Sequence, residues 1–179
     1  MAGKVIRTDV LKKAINFILF QAAWFACVLG AARGAPWLGP LFAAAVAAIA
    51  LKLSDNRKAE LRLFATAAAL GFLFDTGMTG AGFFLPLPHF LPAPFSPPWL
   101  IALWLNLATT LNVSLAWLKG RYLPAAAFGA IGGPLAYYGG AKLGAAALPG
   151  FYGLLALAAG WAAMTPLLVR LAAFYRRET

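Results

Sequence analysis

The chain has 179 residues, of which 63% are hydrophobic and only 11% are charged, and its formal net charge is +10. A soluble domain of this length is nearer half apolar, so the composition excludes an ordinary soluble globular protein. The single cysteine, Cys27, excludes an intrachain disulfide framework.

Apolar runs of about twenty residues recur along the chain, and each is long enough to cross about 30 Å of hydrocarbon. They predict an all-α polytopic integral membrane protein: one domain over residues 1–179, built as a bundle of about six transmembrane helices. The predicted spans are 14–32, 37–53, 61–83, 98–117, 123–140 and 148–169.

The basic residues predict how this bundle is oriented. Thirteen of the 15 Lys and Arg residues lie on one side of the predicted membrane, and only Arg33 and Lys142 lie on the other. The positive-inside rule then places both termini in the cytoplasm, which requires an even number of spans. The charge is thereby explained by topology and by attraction to anionic membrane lipids, so no nucleic-acid partner is predicted.

Small residues recur at steps of four in two spans and predict where helices pack closely. They are Ala22, Ala26 and Gly30 in the first span, and Gly132, Ala136 and Gly140 in the fifth. The fifth span also holds Pro134, which removes a backbone donor and predicts a bend. With Tyr137 and Tyr138 beside it, this helix is either a mobile element or a fixed bend.

The third span, in the stretch "LGFLFDTGMTGAGFF", carries one carboxyl group, Asp75. Fourteen residues separate it from Leu61, which places it roughly 20 Å along the helix and inside the hydrocarbon. An Asp near the centre of a membrane helix costs roughly 2.5–3.5 kcal/mol on insertion scales. Such a residue is a functional candidate by default, and the alternative is a purely structural hydrogen bond between helices.

Several side chains are predicted to satisfy Asp75. The fourth span offers Asn106, Thr110 and Ser114 at steps of four, which favours a polar seam between the third and fourth spans. One face of the first span would lie beside this seam. Asn16 and Gln21 are its polar residues, but they are about 140° apart and cannot both face one point. Lys142 is a further possible partner, because a long Lys side chain can extend toward a buried carboxylate.

The remaining candidates are aromatic residues and one loop. Trp24, Trp104 and Trp161 lie deep in their spans, where they either fill the core or line a cavity for an apolar or ring-bearing ligand. The segment "FFLPLPHFLPAPFSPPW" holds six prolines and the only histidine, His89. It is either a stiff loop folded onto the helix ends or a lid with His89 near the entrance. No Cys, Asp or Glu stands near His89 at ligand spacing, so no metal site is predicted.

The residues predicted to bind a substrate share one property: each places a polar or aromatic group within a span. They are Asp75, Asn106, Thr110, Asn16, Gln21, Trp24 and Tyr137. The sequence predicts no catalytic residue, metal or cofactor.

The motifs "NFILFQAAWFACVLGAA", "PWLGP", "LGFLFD", "LATTLNVSLAWLKGR" and "GAIGGPLAYYGGAKLG", in this order, resemble a family of small bacterial inner-membrane proteins. That family is known as domain-of-unknown-function family 2878. The resemblance covers about residues 15–172 and implies a multi-pass protein of the bacterial inner (cytoplasmic) membrane, often encoded near lipid-modifying enzymes. In the family a His often follows the Asn of the fourth-span motif, but here Val113 takes that place. The resemblance implies no established activity.

Three classes of function remain open. The first is a transporter, or a substrate-binding membrane subunit for a small or lipid-like solute that works with a membrane or cytoplasmic partner protein. The second is a non-catalytic accessory or structural subunit associated with lipid modification. The third, a membrane enzyme, is disfavoured because Asp75 is the one acidic residue predicted inside the membrane and no His cluster or nucleophile–base pair accompanies it.

Overall fold

The structure is a computed structural model that describes residues 2–87 and 92–178, with side chains from residue 8 onward. Within these residues the chain forms six α-helices, which confirms the all-α class. They are α1 (Ala2–Ala32), α2 (Leu38–Leu53), α3 (Arg57–Gly80), α4 (Pro98–Ala108), α5 (Tyr122–Lys142) and α6 (Phe151–Tyr175). Two short strands, β1 (Leu85–Pro86) and β2 (Ala146–Ala147), form an antiparallel pair.

In the described part of the chain, three segments are long and apolar enough to cross a membrane: Thr8–Ala32, Arg57–Gly80 and Phe151–Tyr175. The 16 residues of α2 and the 11 of α4 are shorter, at about 24 and about 17 Å. The 21-residue α5 is long enough by length but is not among these three segments. Length and composition therefore support association with a membrane, while the number of crossings stays a prediction.

The fourth helix ends earlier than the sequence predicts. It stops at Ala108 rather than continuing to Trp117, and a series of turns follows. The hydroxyl of Thr109 donates to the Asn106 carbonyl at 2.7 Å, and that of Thr110 donates to the Leu107 carbonyl at 2.6 Å. Side chains that bond to nearby backbone in this way compete with the helical pattern. The predicted helical stripe of Asn106, Thr110 and Ser114 is therefore wrong.

The helices pack as two units. The helices α1 to α4 contact one another and form a four-helix group, whereas α5 packs mainly on α6. The α5–α6 hairpin joins the four-helix group through contacts between α3 and α6. Since α1 and α5 are not closely packed against each other, space remains between them, and this space becomes the candidate site.

The glycines of α5 that pack closely on α6 are not those of the predicted stripe, but lie one residue away from its positions. Gly129 lies against the Trp161 carbonyl and Thr165, and Gly133 lies against the Trp161 side chain. A β-carbon at Gly132 would meet nothing within 4 Å. The prediction that Gly132, Ala136 and Gly140 form the packing stripe of α5 is therefore wrong.

Adjacent glycines of α5 should respond oppositely to the same substitution. Gly133→Ala is expected to lower the stability by about 1–3 kcal/mol, because the new methyl group overlaps the Trp161 side chain. Gly132→Ala should be neutral or raise stability by up to about 1 kcal/mol, because alanine is the better helix former. Chemical unfolding in detergent micelles measures both changes, and equal effects would contradict the packing of α5 on α6.

The segment between α3 and α4 lies on the helix ends where the structure describes it. The Leu87 amide donates to the Ala145 carbonyl at 2.8 Å, which extends the β1–β2 pair. The Ser96 amide donates to the Thr76 hydroxyl at 3.1 Å, four residues before α3 ends at Gly80. His89 lies outside the described residues, so its place in a lid stays a prediction.

Candidate functional site

Asp75 is fully buried in α3 and holds two hydrogen-bond donors from other helices. The indole Nε1 of Trp104, in α4, donates to Oδ2 at 2.7 Å, and the hydroxyl of Tyr137, in α5, donates to Oδ1. Asp75 has no ion-pair partner among the described residues. The predicted pairing with Lys142 is wrong, because the Lys142 ammonium lies 5.3 Å from the centre of the Tyr138 ring.

The indole of Trp104 is held on both faces. One face lies against Gly71, one turn before Asp75, where a β-carbon would overlap the ring. The other face stacks on Trp161 of α6, with ring centres 4.6 Å apart and planes 8° from parallel. The edge of Phe74 closes the side at 5.5 Å. This packing and the hydrogen bond to Asp75 together hold the indole in a single orientation.

Tyr137 links Asp75 to the hairpin. Its ring packs edge-on against Phe84 at 4.8 Å, and its hydroxyl points to the Asp75 carboxyl group. One carboxyl group therefore bonds to α4, in the four-helix group, and to α5, in the hairpin. The predicted seam of Asn106, Thr110 and Ser114 does not form at Asp75. The donor from α4 is Trp104, and the second donor, Tyr137, comes from α5.

A cavity of about 80 Å³ lies beside this arrangement, between α1, α4 and the hairpin. Its wall is built from apolar and aromatic side chains and a few small residues. They are Phe20, Trp24, Val28, Phe84, Trp99, Leu100, Leu103, Trp104, Leu107, Ala136, Tyr137, Gly140, Ala146 and Trp161. Asp75 is not part of this wall. It lies behind the wall and draws the polar atoms of Trp104 and Tyr137 away from the cavity.

Small residues of α5 give the cavity its width. Gly140 is buried, yet a β-carbon there would meet no atom within 4 Å. One position earlier, a β-carbon at Gly139 would lie 3.4 Å from the Trp24 indole, which reaches across from α1. Ala136 and Gly140, which the sequence assigned to helix packing, therefore border the cavity instead.

Asn16, a predicted site residue, forms hydrogen bonds to the turns that follow α4. Its side-chain amide donates to the Thr109 carbonyl at 3.1 Å, and its oxygen accepts from the Ser114 hydroxyl at 2.6 Å. These bonds satisfy backbone and side-chain groups that the turns leave without helical partners. Asn16 does not line the cavity.

The other polar predictions also lie outside the cavity wall. Asn106 is fully buried and donates to the Phe20 carbonyl of α1 at 2.9 Å. Thr110 is buried, and its hydroxyl bonds locally. Gln21 is half-buried on α1, and its side chain has no hydrogen-bond partner among the residues that the structure describes. Of the predicted set, Trp24 and Tyr137 line the cavity, and Asp75 lies behind its wall.

The sequence reasoning missed a second polar cluster around Glu60. This side chain is only 5% exposed; its Oε1 accepts from the Asn112 amide at 2.9 Å and lies 3.6 Å from the Arg176 guanidinium. The Lys119 ammonium donates to the other side of the Asn112 amide at 2.5 Å. Burial lowers the pKa of Lys119, and the nearby charge of Arg176 lowers it further, while Glu60 opposes both.

A helix-capping signal could have located Glu60. The Asn56 side chain accepts from the Ala59 amide at 3.1 Å, so α3 begins at Arg57. An Asn before an apolar helix is a recognised N-cap signal. It places Glu60 in the first turn of α3 rather than in the loop before residue 61. No comparable signal exists for Trp104, because the side of α4 that meets α3 depends on how the helices pack.

Over the residues that the structure describes, the fold is that of an all-helical protein with three helices suited to crossing a membrane. The chain belongs to the family described as "Protein of unknown function (DUF2878)", which matches residues 13–167. The resemblance read from the sequence is thereby confirmed. No curated protein and no solved structure matches the chain significantly.

Proposed function

We propose that this protein is a multi-span protein of the bacterial inner membrane that binds a small apolar or lipid-like solute in the cavity beside Asp75. The observation that carries this proposal is the aromatic wall of the cavity. Two of its side chains, Trp104 and Tyr137, both donate a hydrogen bond to the buried carboxyl group of Asp75. Six crossings, one domain and cytoplasmic termini form part of the proposal.

The contacts at the two ends of the helices support this topology. The start of α3, the segment after α4 and the end of α6 meet in the Glu60 cluster, as a helix order that alternates in direction requires. The β1–β2 pair joins the α3–α4 and α5–α6 connections at the opposite end. The turns after α4 begin in fully packed surroundings, since residues 109–111 are buried. Non-helical backbone is tolerated at membrane depth where protein covers it.

The cavity wall selects an apolar occupant. Ligand pockets are typically concave and lined by hydrophobic and aromatic groups. The volume of about 80 Å³ exceeds the roughly 10–15 Å³ that one water needs, but it is below the 150 Å³ of an apolar cavity known to hold benzene. It therefore suits the end of a hydrocarbon chain or part of a ring. In this proposal a solute dissolved in the membrane enters between α1 and α5, which are not closely packed against each other.

In this proposal the predicted site residues have different roles. Trp24 and Tyr137 contact the solute, since both line the cavity. Asp75 is a positioning residue, because it holds Trp104 and Tyr137 without reaching the cavity itself. Release of the solute to the other side of the membrane, or to a partner protein, would make the chain a transporter or a substrate-binding subunit.

Tryptophan fluorescence tests the cavity directly. Four of the six tryptophans line it, and the other two, Trp37 and Trp117, are 60% and 49% exposed. In a Trp37→Phe, Trp117→Phe background, 1-bromododecane should quench the fluorescence in a saturable manner, and unbrominated dodecane should compete. Gly140→Leu should reduce the saturable component at least about ten-fold, because its side chain fills the space that the probe needs.

Gly132→Leu is the matched control, because Gly132 lies on the same helix with open space at its β-carbon but does not line the cavity. It should keep the saturable quenching. Quenching that rises linearly with the probe and is identical in the two leucine variants would refute solute binding at this site.

A further inference from the structure

A second concave surface lies between α1 and α2 and shares no lining residue with the cavity beside Asp75. It is a groove of about 290 Å³ with apolar walls and one basic residue. The groove is lined by Phe25, Ala26, Leu29, Gly30, Arg33, Ala35, Leu38 and Phe42. Any function of this groove is independent of the solute proposed above.

The walls of the groove follow the end of α1 and the start of α2. Phe25 and Leu29 lie four residues apart in α1, and Arg33 follows at the same step just after the helix ends at Ala32. The Arg33 amide still donates to the Leu29 carbonyl at 3.0 Å, so the three lie on one face. Eight residues at the helical rise span about 12 Å. On the other wall, Leu38 and Phe42 of α2 are also four residues apart. The surface thus presents an apolar strip that ends at a single arginine.

Arg33 has no side-chain acceptor among the residues that the structure describes. Its side chain is exposed, and it forms no hydrogen bond or ion pair with any residue that the structure describes. Arg33 and Lys142 are the two basic residues predicted on this side of the membrane, and the Lys142 ammonium already lies over the Tyr138 ring. A guanidinium group matches the geometry of a phosphate, to which it can donate two parallel hydrogen bonds.

We propose that this groove binds an anionic phospholipid, with its phosphate at Arg33 and one acyl chain along Phe25, Leu29, Leu38 and Phe42. The distance along the helix from Arg33 to Phe25, about 12 Å, is close to the roughly 15 Å of hydrocarbon in one leaflet. The position of Arg33 at the end of the strip matches the position of a headgroup relative to its chains. Charge and shape therefore select the same occupant.

Native mass spectrometry of the delipidated protein tests this site. Titration with phosphatidylglycerol should give a one-lipid adduct, and Arg33→Gln should weaken it by about five-fold, the size expected for one exposed ion pair. Lys142→Gln is the matched control, because it removes the other basic residue of this side, and it should bind as the unmodified protein does. Leu29→Trp, which keeps Arg33 but fills the groove, should also weaken the adduct.

The other outcomes would overturn the proposal. Equal binding by Arg33→Gln and the unmodified protein would show that the lipid is held elsewhere. An equal loss in Lys142→Gln would show a general charge effect rather than a site. Full competition by inorganic phosphate would show that the acyl chain contributes nothing. A protein dimer that Leu29→Trp disrupts would identify a second copy of this chain as the occupant.

Discussion

Asp75→Ala is expected to lower the free energy of unfolding by about 2–5 kcal/mol, more than any other removal of an acidic side chain outside the Glu60 cluster. The substitution leaves the Trp104 N–H and the Tyr137 hydroxyl without their acceptor in a fully buried place. Each buried donor left unsatisfied costs about 1–3 kcal/mol. Unfolding in detergent micelles, followed by tryptophan fluorescence, measures the loss, and Asp75→Ala should also weaken the saturable quenching by 1-bromododecane.

Two comparison variants make this result specific. Asp75→Asn keeps the shape and one acceptor for Trp104, and its amide can donate to the Tyr137 oxygen. It should therefore be clearly more stable than Asp75→Ala. Asp9→Ala removes an exposed carboxylate that pairs with Lys13 at 2.7 Å, and it should cost no more than about 0.5 kcal/mol. If Asp75→Ala were as stable as Asp9→Ala, Asp75 would not be holding the cavity wall.

Gly71→Ala is the second substitution with a large expected effect. The new methyl group would overlap the Trp104 ring, which cannot retreat because Trp161 stacks behind it and Asp75 holds its N–H. Overpacking of this kind costs about 1–3 kcal/mol and sometimes more, and the rigid surroundings favour the upper part of that range. Since Trp104 belongs to the cavity wall, the variant should also bind 1-bromododecane less tightly.

Gly77→Ala is the matched control for this prediction. Gly77 lies on the same helix, six residues later, and a β-carbon there meets nothing within 4 Å. This variant should be as stable as the unmodified protein or up to about 1 kcal/mol more stable. A second test combines Gly71→Ala with Trp104→Phe: the smaller ring should relieve part of the overlap, so the two effects should not add. Strict additivity would argue against contact between the two residues.

These substitutions distinguish two roles of Asp75, a structural role and a positioning role. As a structural group it connects α3 to α4 and to α5, and the loss of stability measures that role. As a positioning residue it fixes two members of the cavity wall, and the change in probe binding measures that role. A variant that stays folded but loses saturable quenching, for which Asp75→Asn is suited, would separate the second role from the first.

The sequence by itself determined the apolar segments and their order. The six predicted spans each correspond to a helix, because long apolar runs interrupted by charged or Pro- and Gly-rich segments leave few alternatives. It also singled out Asp75 as a buried group and Trp24, Trp104 and Trp161 as possible members of a cavity wall. These properties depend on composition and on the spacing of residues, and both can be read directly from the sequence.

Only the tertiary structure decided which faces meet. Trp104 and Asn106 are two residues apart on α4, about 200° around the helix, so one must face away from Asp75. The indole N–H of Trp104 is the donor because this face packs on α3 and α6, whereas Asn106 faces α1. Likewise, Gly133 rather than Gly132 meets Trp161, a difference of one residue and about 100° of rotation. The rotation of each helix depends on the summed packing of all its neighbours, which no single segment of sequence specifies.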